Sequence, residues 1–186
     1  MPLSSAELNS IEAKAFDLIN KCKIKFPPVD VEVIARYLGL KVVQSELNEV
    51  SGALIIEGNQ GYIGYNPTHG EQRRRFTIAH EIGHYCLHCI SDDSSQRKSQ
   101  LFVDKDFIVK YRNANNYTYA EMKQEQQANA FAAALLMPEQ FVTREIKSVE
   151  NTKREEIDLI VQLATDFNVS VPAMTFRLEN LNTLYK

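Results

Sequence analysis

The segment His80-Glu81-Ile82-Gly83-His84 constrains this chain more than any other feature, because it sets two histidines four residues apart. The residues around it carry apolar side chains at three- and four-residue steps, which predicts a helix from Glu71 to about Cys89. Residues four apart lie on one face of a helix, so both imidazoles can bind the same metal ion. Glu81 follows the first histidine directly and is then placed to act as a general base on a water molecule beside the metal.

A catalytic zinc site needs a third protein ligand, and the sequence offers several residues for it. His88 lies two turns after His80, about 12 Å along the axis, which is too far to share the ion in a regular helix. The metzincin arrangement requires a glycine and a later histidine, but Ile90 occupies the position of that histidine, so this arrangement is rejected. His69 precedes the helix and remains a further candidate, either as a ligand or as a contact to a substrate.

Glu125 is the strongest candidate beyond this helix. It lies in a predicted helix from Tyr119 to Met137, and Asn129 is four residues further along the same face. A polar residue in that place can hold the imidazole of a ligand histidine by its other nitrogen. The alternative is that Glu125 belongs to a solvated face together with Glu121 and Lys123.

The order of predicted elements favours an α+β fold, with helices packed on one face of a small sheet. The strands are predicted at 40–43, 53–56 and 61–65, and the helices at about 5–20, 31–38, 71–89, 119–137, 139–147, 154–167 and 171–181. We predict one catalytic domain over residues 1–147, with an irregular polar insertion at 91–116. A C-terminal helical segment at 148–186 is expected to pack on this domain.

The last two predicted helices have helix-turn-helix character, with a turn at 168–170. Residues 151–186 carry four basic and five acidic side chains, and the second helix has only Arg177, with Glu179 nearby. Because groove binding needs basic side chains against phosphate, we expect these helices to pack or to contact a partner protein instead.

The composition agrees with a protein whose partner is another protein. The net charge is -3, from 21 Lys and Arg against 24 Asp and Glu, which argues against binding to nucleic acid through bulk charge. Three cysteines without a framework spacing favour a reducing, cytoplasmic location. No window approaches 18 uninterrupted apolar residues and the first residues lack a signal pattern, so we expect no membrane span.

Two further motifs near the histidines have ordinary interpretations. Cys86 and Cys89 form a C-x-x-C pattern, which suits a redox pair or a second metal site, but its position at the end of the helix favours buried thiols. The run Arg73-Arg74-Arg75 is most simply a solvated face, and its alternative role is to contact an acidic part of a protein substrate.

Three stretches of the chain follow a recognisable pattern: 75–84, which ends in the H-E-x-x-H motif; Glu125-x-x-Ala128-Asn129 with Phe131-Ala132 and Leu135-Leu136-Met137-Pro138; and Val169-Ser170 with Ala173-Met174 and Arg177-Leu178. This pattern resembles the ImmA/IrrE family of zinc metallopeptidases. The resemblance implies a zincin-like metallopeptidase core with a gluzincin-like site. In that site His80, His84 and Glu125 bind Zn2+, Glu81 is the general base, and Asn129 supports a ligand. Two departures are the insertion at 91–116 and Asn129, where gluzincins commonly carry Asp.

We therefore predict a zinc-dependent endopeptidase that cleaves a regulatory protein, by resemblance a helix-turn-helix repressor or an antitoxin-like partner encoded nearby. The alternative is a zincin-fold toxin or regulatory module that binds a partner without cutting it. Glu81 together with both histidines favours the enzyme, because a pure scaffold needs no general base. A DNA-binding regulator that uses the C-terminal helices is the weaker alternative.

Overall fold

A four-stranded mixed sheet forms one layer of the computed structural model, which describes residues 2–46, 50–89, 100–105, 118–149 and 156–181. Its strands are β1 (Leu40–Gln44), β2 (Val50–Glu57), β3 (Gln60–Tyr65) and β4 (Gln100–Lys105), in the order β1-β3-β2-β4. β1 is parallel to β3, whereas β2 is antiparallel to both β3 and β4. β2 therefore lies inside the sheet, and β4 lies at its edge.

The described residues form seven α-helices, most of which begin at a side chain that caps the helix. They are α1 (Ser5–Lys21), α2 (Val31–Tyr37), α3 (Glu71–His84), α4 (Tyr119–Leu136), α5 (Glu139–Val149), α6 (Glu156–Asp166) and α7 (Val171–Asn180). Side chains of Ser4, Asp30, Thr118 and Ser170 accept hydrogen bonds from backbone N–H groups in the first turns of α1, α2, α4 and α7. The predicted α+β fold is confirmed. In the part of the chain described, no helix combines the length and apolar content needed to cross a membrane.

α3 lies between the sheet and α4, and it touches β2 and β3 on one side and α4 on the other. The approach to α4 is close, because a Cβ on Gly83 would lie 3.1 Å from the carbonyl oxygen of Ala128 and 3.2 Å from Cβ of Phe131. Small side chains on α4, including Ala128 and Ala132, are fully buried at this contact. The pair of helices forms the centre of the hydrophobic core, and α1 covers the other side of α4.

The turn between α6 and α7 is tied to the first turn of α3. Gln72 donates to the carbonyl oxygen of Val169 (3.1 Å), and Arg75 donates from Nε to that of Asn168 (3.3 Å). Asn168 in turn donates its side-chain amide to Glu71 Oε1 at 2.6 Å. The C-terminal helices thus contact the helix that carries the histidine motif, while the predicted domain boundary near residue 147 stays a prediction.

Two local features differ from the sequence-based expectations. The α-helical part of α3 ends at His84, and residues Tyr85–Cys89 continue it as a single π-helical turn. Within the range predicted as an irregular insertion, residues 100–105 form β4, which pairs with β2 from Ile56↔Gln100 to Val50↔Lys105. This strand is defined by backbone hydrogen bonds to a distant segment, which the local sequence pattern does not reveal. The remainder of the predicted insertion lies outside the described residues.

Arg177 joins α7 to the rest of the core. We therefore expect its replacement to lower the stability of the protein. Its guanidinium is 6% exposed, donates from Nε to the carbonyl oxygen of Met137 (2.9 Å), and pairs through Nη1 and Nη2 with both carboxylate oxygens of Glu12. Arg177→Met would leave a buried carbonyl and a carboxylate without these donors. We expect it to lower the free energy of unfolding by about 2–3 kcal/mol, measured by urea denaturation.

The matched control is Lys21→Ala, which removes an exposed ion pair with Asp17 inside α1. Surface pairs of this kind contribute little, so the urea midpoint should stay close to that of the wild type. Equal effects of the two substitutions would contradict the structural role given to Arg177.

Candidate metal centre

Two imidazole nitrogens converge on the face of α3 that carries the histidine motif. His80 and His84 are each 2% exposed, and their Nε2 atoms are 3.0 Å apart. The rings meet edge to face, with centroids 4.7 Å apart. The four-residue spacing in a regular helix is sufficient to produce this convergence.

Glu125 of α4 brings a carboxylate to the same point. Its Oε2 lies 3.5 Å from Nε2 of His80, and its Oε1 lies 3.5 Å from Nε2 of His84. Four-coordinate zinc holds nitrogen and oxygen ligands at about 2.0–2.1 Å, which separates neighbouring donor atoms by about 3.3 Å. Since all three separations are 3.0 or 3.5 Å, the donor set and its dimensions fit a zinc ion.

Asn129 supports His80 from the side opposite to this cluster. Its Oδ1 lies 2.9 Å from Nδ1 of His80. An amide oxygen only accepts hydrogen bonds, so Nδ1–H of His80 is the donor in this contact, and in the neutral ring Nε2 then carries the lone pair. That lone pair faces His84 and Glu125, which is the orientation a metal ligand requires.

Glu81 faces the sheet, where β2 passes directly over it. The side chain is fully buried. A Cβ on Gly52 of β2 would lie 3.1 Å from Oε1 of Glu81 and would overlap Cγ2 of Thr77. Only glycine therefore allows the strand to run this close to the carboxylate. The signal in the sequence is the glycine itself, because a glycine within a strand marks a close approach of the backbone to another group.

Solvent reaches the cluster on the side of Glu125. The side chain of Glu125 is 22% exposed, whereas those of His80 and His84 are 2–3% exposed. Phe76 is an exposed apolar side chain near the cluster, and its ring centroid lies 6.3 Å from that of His80. Among the three donors, the carboxylate of Glu125 is therefore the one nearest to solvent.

The other two histidines do not join this group. In the described part of the chain, the residues that bring three donor atoms together are His80, His84 and Glu125. His88 lies in the π-helical turn, and its Nε2 is 3.3 Å from the carbonyl oxygen of Gln124. Burial lowers the pKa of His88, which keeps the ring neutral and makes Nε2–H the donor in this contact. His69 lies in the turn before α3, where its backbone N–H donates to Asn66.

The C-x-x-C thiols lie against the hydrophobic core. Cys86 and Cys89 are partly buried and both are free thiols. Burial raises the pKa of Cys86 to about 12 and that of Cys89 to about 11. Redox pairs depend on a lowered thiol pKa, so these values support the interpretation as packed thiols.

Comparisons with known proteins agree with this geometry. A family model described as the IrrE N-terminal-like domain, Peptidase M78, matches residues 35–179. The "Uncharacterized immunity region protein 2" of Bacillus phage phi105 is 28% identical over 143 residues, which are 76% of this chain and 77% of that protein. A solved structure of a Mycobacterium tuberculosis transcriptional regulator aligns with 92% of this chain at a TM-score of 0.59 and 16% identity. The chain spans only 46% of that regulator, and the likeness concerns the fold alone.

The donor geometry predicts one zinc-binding site whose affinity depends on each of the three residues. In calorimetric titration of the chelator-treated protein with Zn2+, we expect one equivalent to bind. Asn129→Ala should weaken binding by about 10- to 100-fold, as is typical of residues that orient a ligand. His84→Ala and Glu125→Ala should weaken it further, while His69→Ala serves as the control. Full zinc affinity in Glu125→Ala would assign the third ligand to another group.

The contact between β2 and α3 predicts that Gly52→Ala is strongly destabilising. The added methyl group would overlap Thr77 and press on Glu81, so either the strand or the helix must shift. We expect a loss of about 1–3 kcal/mol in the free energy of unfolding, measured by urea denaturation.

Gly70→Ala provides a matched control, because a Cβ there would meet no atom within 4 Å. Gly70 is the N-cap residue of α3, where glycine is preferred to alanine, so its replacement should cost about 0.5 kcal/mol, less than that of Gly52. A Gly52→Ala protein as stable as the control would show that the strand does not lie against Glu81.

Proposed function

Because the chain belongs to the Peptidase M78 family, defined by the IrrE N-terminal-like domain, we propose that it is a zinc-dependent endopeptidase that cleaves a regulatory protein. The observation that carries the proposal is the convergence of His80, His84 and Glu125 within 4.8 Å of one another. The buried carboxylate of Glu81 lies one residue from the first of these donors. Three metal-binding side chains and a general base are the groups that a metal-dependent hydrolase requires.

His80, His84 and Glu125 would hold the zinc ion. When bound, zinc supplies a Lewis acid that makes a water molecule more acidic and polarises a peptide carbonyl. Asn129 keeps the proton of His80 on Nδ1, so that Nε2 remains available as a ligand. The donor atoms are thus positioned for metal binding by the protein itself.

Glu81 acts as the general base and then as the general acid. One of its carboxylate oxygens accepts the proton from the water that attacks the scissile carbonyl. The same carboxyl then donates that proton to the nitrogen of the cleaved peptide bond, so that this half of the substrate leaves as an amine. β2, which lies over Glu81 at Gly52, excludes bulk water from the carboxylate and holds it in place.

The substrate is proposed to be a regulatory protein of the repressor or antitoxin type. The curated relative is named as an immunity region protein of a phage, which supports a partner involved in that kind of regulation. A proteolytic site reached through an open side at Glu125 and Phe76 is also compatible with a protein substrate.

The burial of Arg177 does not support binding of DNA by α7. Arg177, the basic residue on this helix, is 6% exposed and is paired with Glu12 of α1. A guanidinium held in the core does not reach a phosphate or a base edge. The C-terminal helices therefore contribute to packing.

Glu81→Gln tests the mechanism because it preserves size and removes the ability to accept a proton. We expect the variant to bind zinc as the wild type does and to cleave about 10²- to 10⁴-fold more slowly. The measurement is co-incubation with a helix-turn-helix regulator encoded beside its gene, with mass spectrometry of the products, with and without chelator.

The outcomes separate an enzyme from a binding module. Cleavage at the wild-type rate by Glu81→Gln would contradict the role of this carboxyl. A stable complex of the zinc-loaded wild type with the regulator, with no cleavage over hours, would instead favour a module that binds its partner.

A further inference from the structure

The three consecutive arginines at the start of α3 point in three directions. Arg75 is directed inward, where it donates to the carbonyl oxygens of Val29 and Asn168, and burial lowers its pKa. Arg74 lies over the ring of Tyr65, 5.9 Å from its centroid. Arg73 is the most exposed of the three. Arg73 is therefore the arginine of this run that solvent reaches most readily.

Arg73 lies on the same face of α3 as the metal-binding histidines. The series Arg73, Thr77, His80 and His84 advances by four, three and four residues, which is the spacing of one helix face. Arg73 is two turns before His80, about 10 Å along the axis. A peptide that crosses the donor cluster and follows α3 toward its first turn would pass this side chain.

A second contact brings the guanidinium toward the general base. Its Nη2 donates to Oγ of Ser51 at 2.8 Å. Ser51 directly precedes Gly52, the residue of β2 that lies against the carboxylate of Glu81. Both the helix face and the strand thus place the guanidinium on the side of α3 that carries the histidines and Glu81.

Helix stability does not explain an arginine at this position. Positive side chains in the first turn are unfavourable with respect to the helix dipole, by about 0.3–1 kcal/mol at exposed sites. Arg75 offsets this through its bonds to backbone carbonyls. Arg73 donates to the hydroxyl of Ser51, which lies on the strand that passes over Glu81.

We propose that Arg73 is a specificity-determining residue that binds an acidic side chain of the protein substrate near the scissile bond. This inference rests on the proposed peptidase function. The planar guanidinium carries five N–H donors and can bind a carboxylate through two parallel hydrogen bonds. An extended peptide advances about 3.3 Å per residue, so the acidic residue would lie within about three residues of the cleaved bond.

The test uses the zinc-loaded full chain and a library of tryptic peptides from a whole proteome. The cleaved positions are determined by mass spectrometry. For the wild type we expect Asp and Glu to be enriched at one fixed distance from the cleaved bond. Arg73→Gln should cleave without that enrichment, whereas Arg74→Gln, which alters the neighbouring arginine, should retain it.

Matched synthetic peptides then give the size of the effect. One peptide carries the preferred acidic residue, a second the corresponding amide, and a third lysine at that position. The wild type should prefer the acidic peptide over the amide by about tenfold in kcat/KM, as expected for one charge-assisted pair of hydrogen bonds. Arg73→Gln should reduce this ratio to about one, and Arg73→Glu should favour the lysine peptide.

The possible failures are distinguishable. If the zinc-loaded wild type cleaves none of the peptides and no candidate regulator, the peptidase proposal fails and this inference fails with it. If the wild type cleaves without an acidic preference, or if Arg73→Gln keeps that preference, only the role of Arg73 is overturned. A reversed preference in Arg73→Glu would support direct contact, since a purely structural role would not exchange one substrate charge for the other.

Discussion

The close contact between α3 and α4 is the constraint on which the candidate site depends. Gly83 has no side chain, and Ala128 presents its backbone to it, so the two helices approach more closely than larger residues would allow. This spacing carries Glu125 to within 3.5 Å of both histidine nitrogens and Asn129 to 2.9 Å from the other side of His80. Donor atoms on two packed helices lose their conformational freedom when the core forms, so metal binding does not have to supply that ordering.

The same packing explains why these polar groups are buried together. His80 and His84 are 2% exposed, and Glu81 is fully buried. A charge is costly to remove from water, and a bound cation in the cluster would favour the ionised form of the carboxylates around it. Asn129 fits this arrangement, since a neutral amide orients His80 without adding another negative charge.

Short-range patterns predicted most of the fold, and long-range contacts account for the rest. The apolar steps around the histidine motif indicate α3 correctly as far as His84, where its α-helical part ends. The two histidines could be predicted as ligands of one metal ion, because they lie one turn apart on a single helix. Glu125 lies 41 residues after His84, so spacing alone left it between a ligand and a solvated residue, and only the resemblance favoured the ligand. β4 and the contact of Gly52 depend on pairing between distant segments, which no local period encodes.

The orientation of α3 depends on both of its ends. Its last turns carry the histidines and pack against α4, while its first turn is bonded to the turn between α6 and α7 through Gln72 and Arg75. A helix held at one end can tilt about that contact, and a small tilt at the first turn would change the distance between His84 and Glu125. Fixing the first turn to residues 167–169 removes this freedom. The C-terminal helices therefore influence the geometry of the donor cluster without touching it, and they do so through the same turn that places Arg73 beside β2.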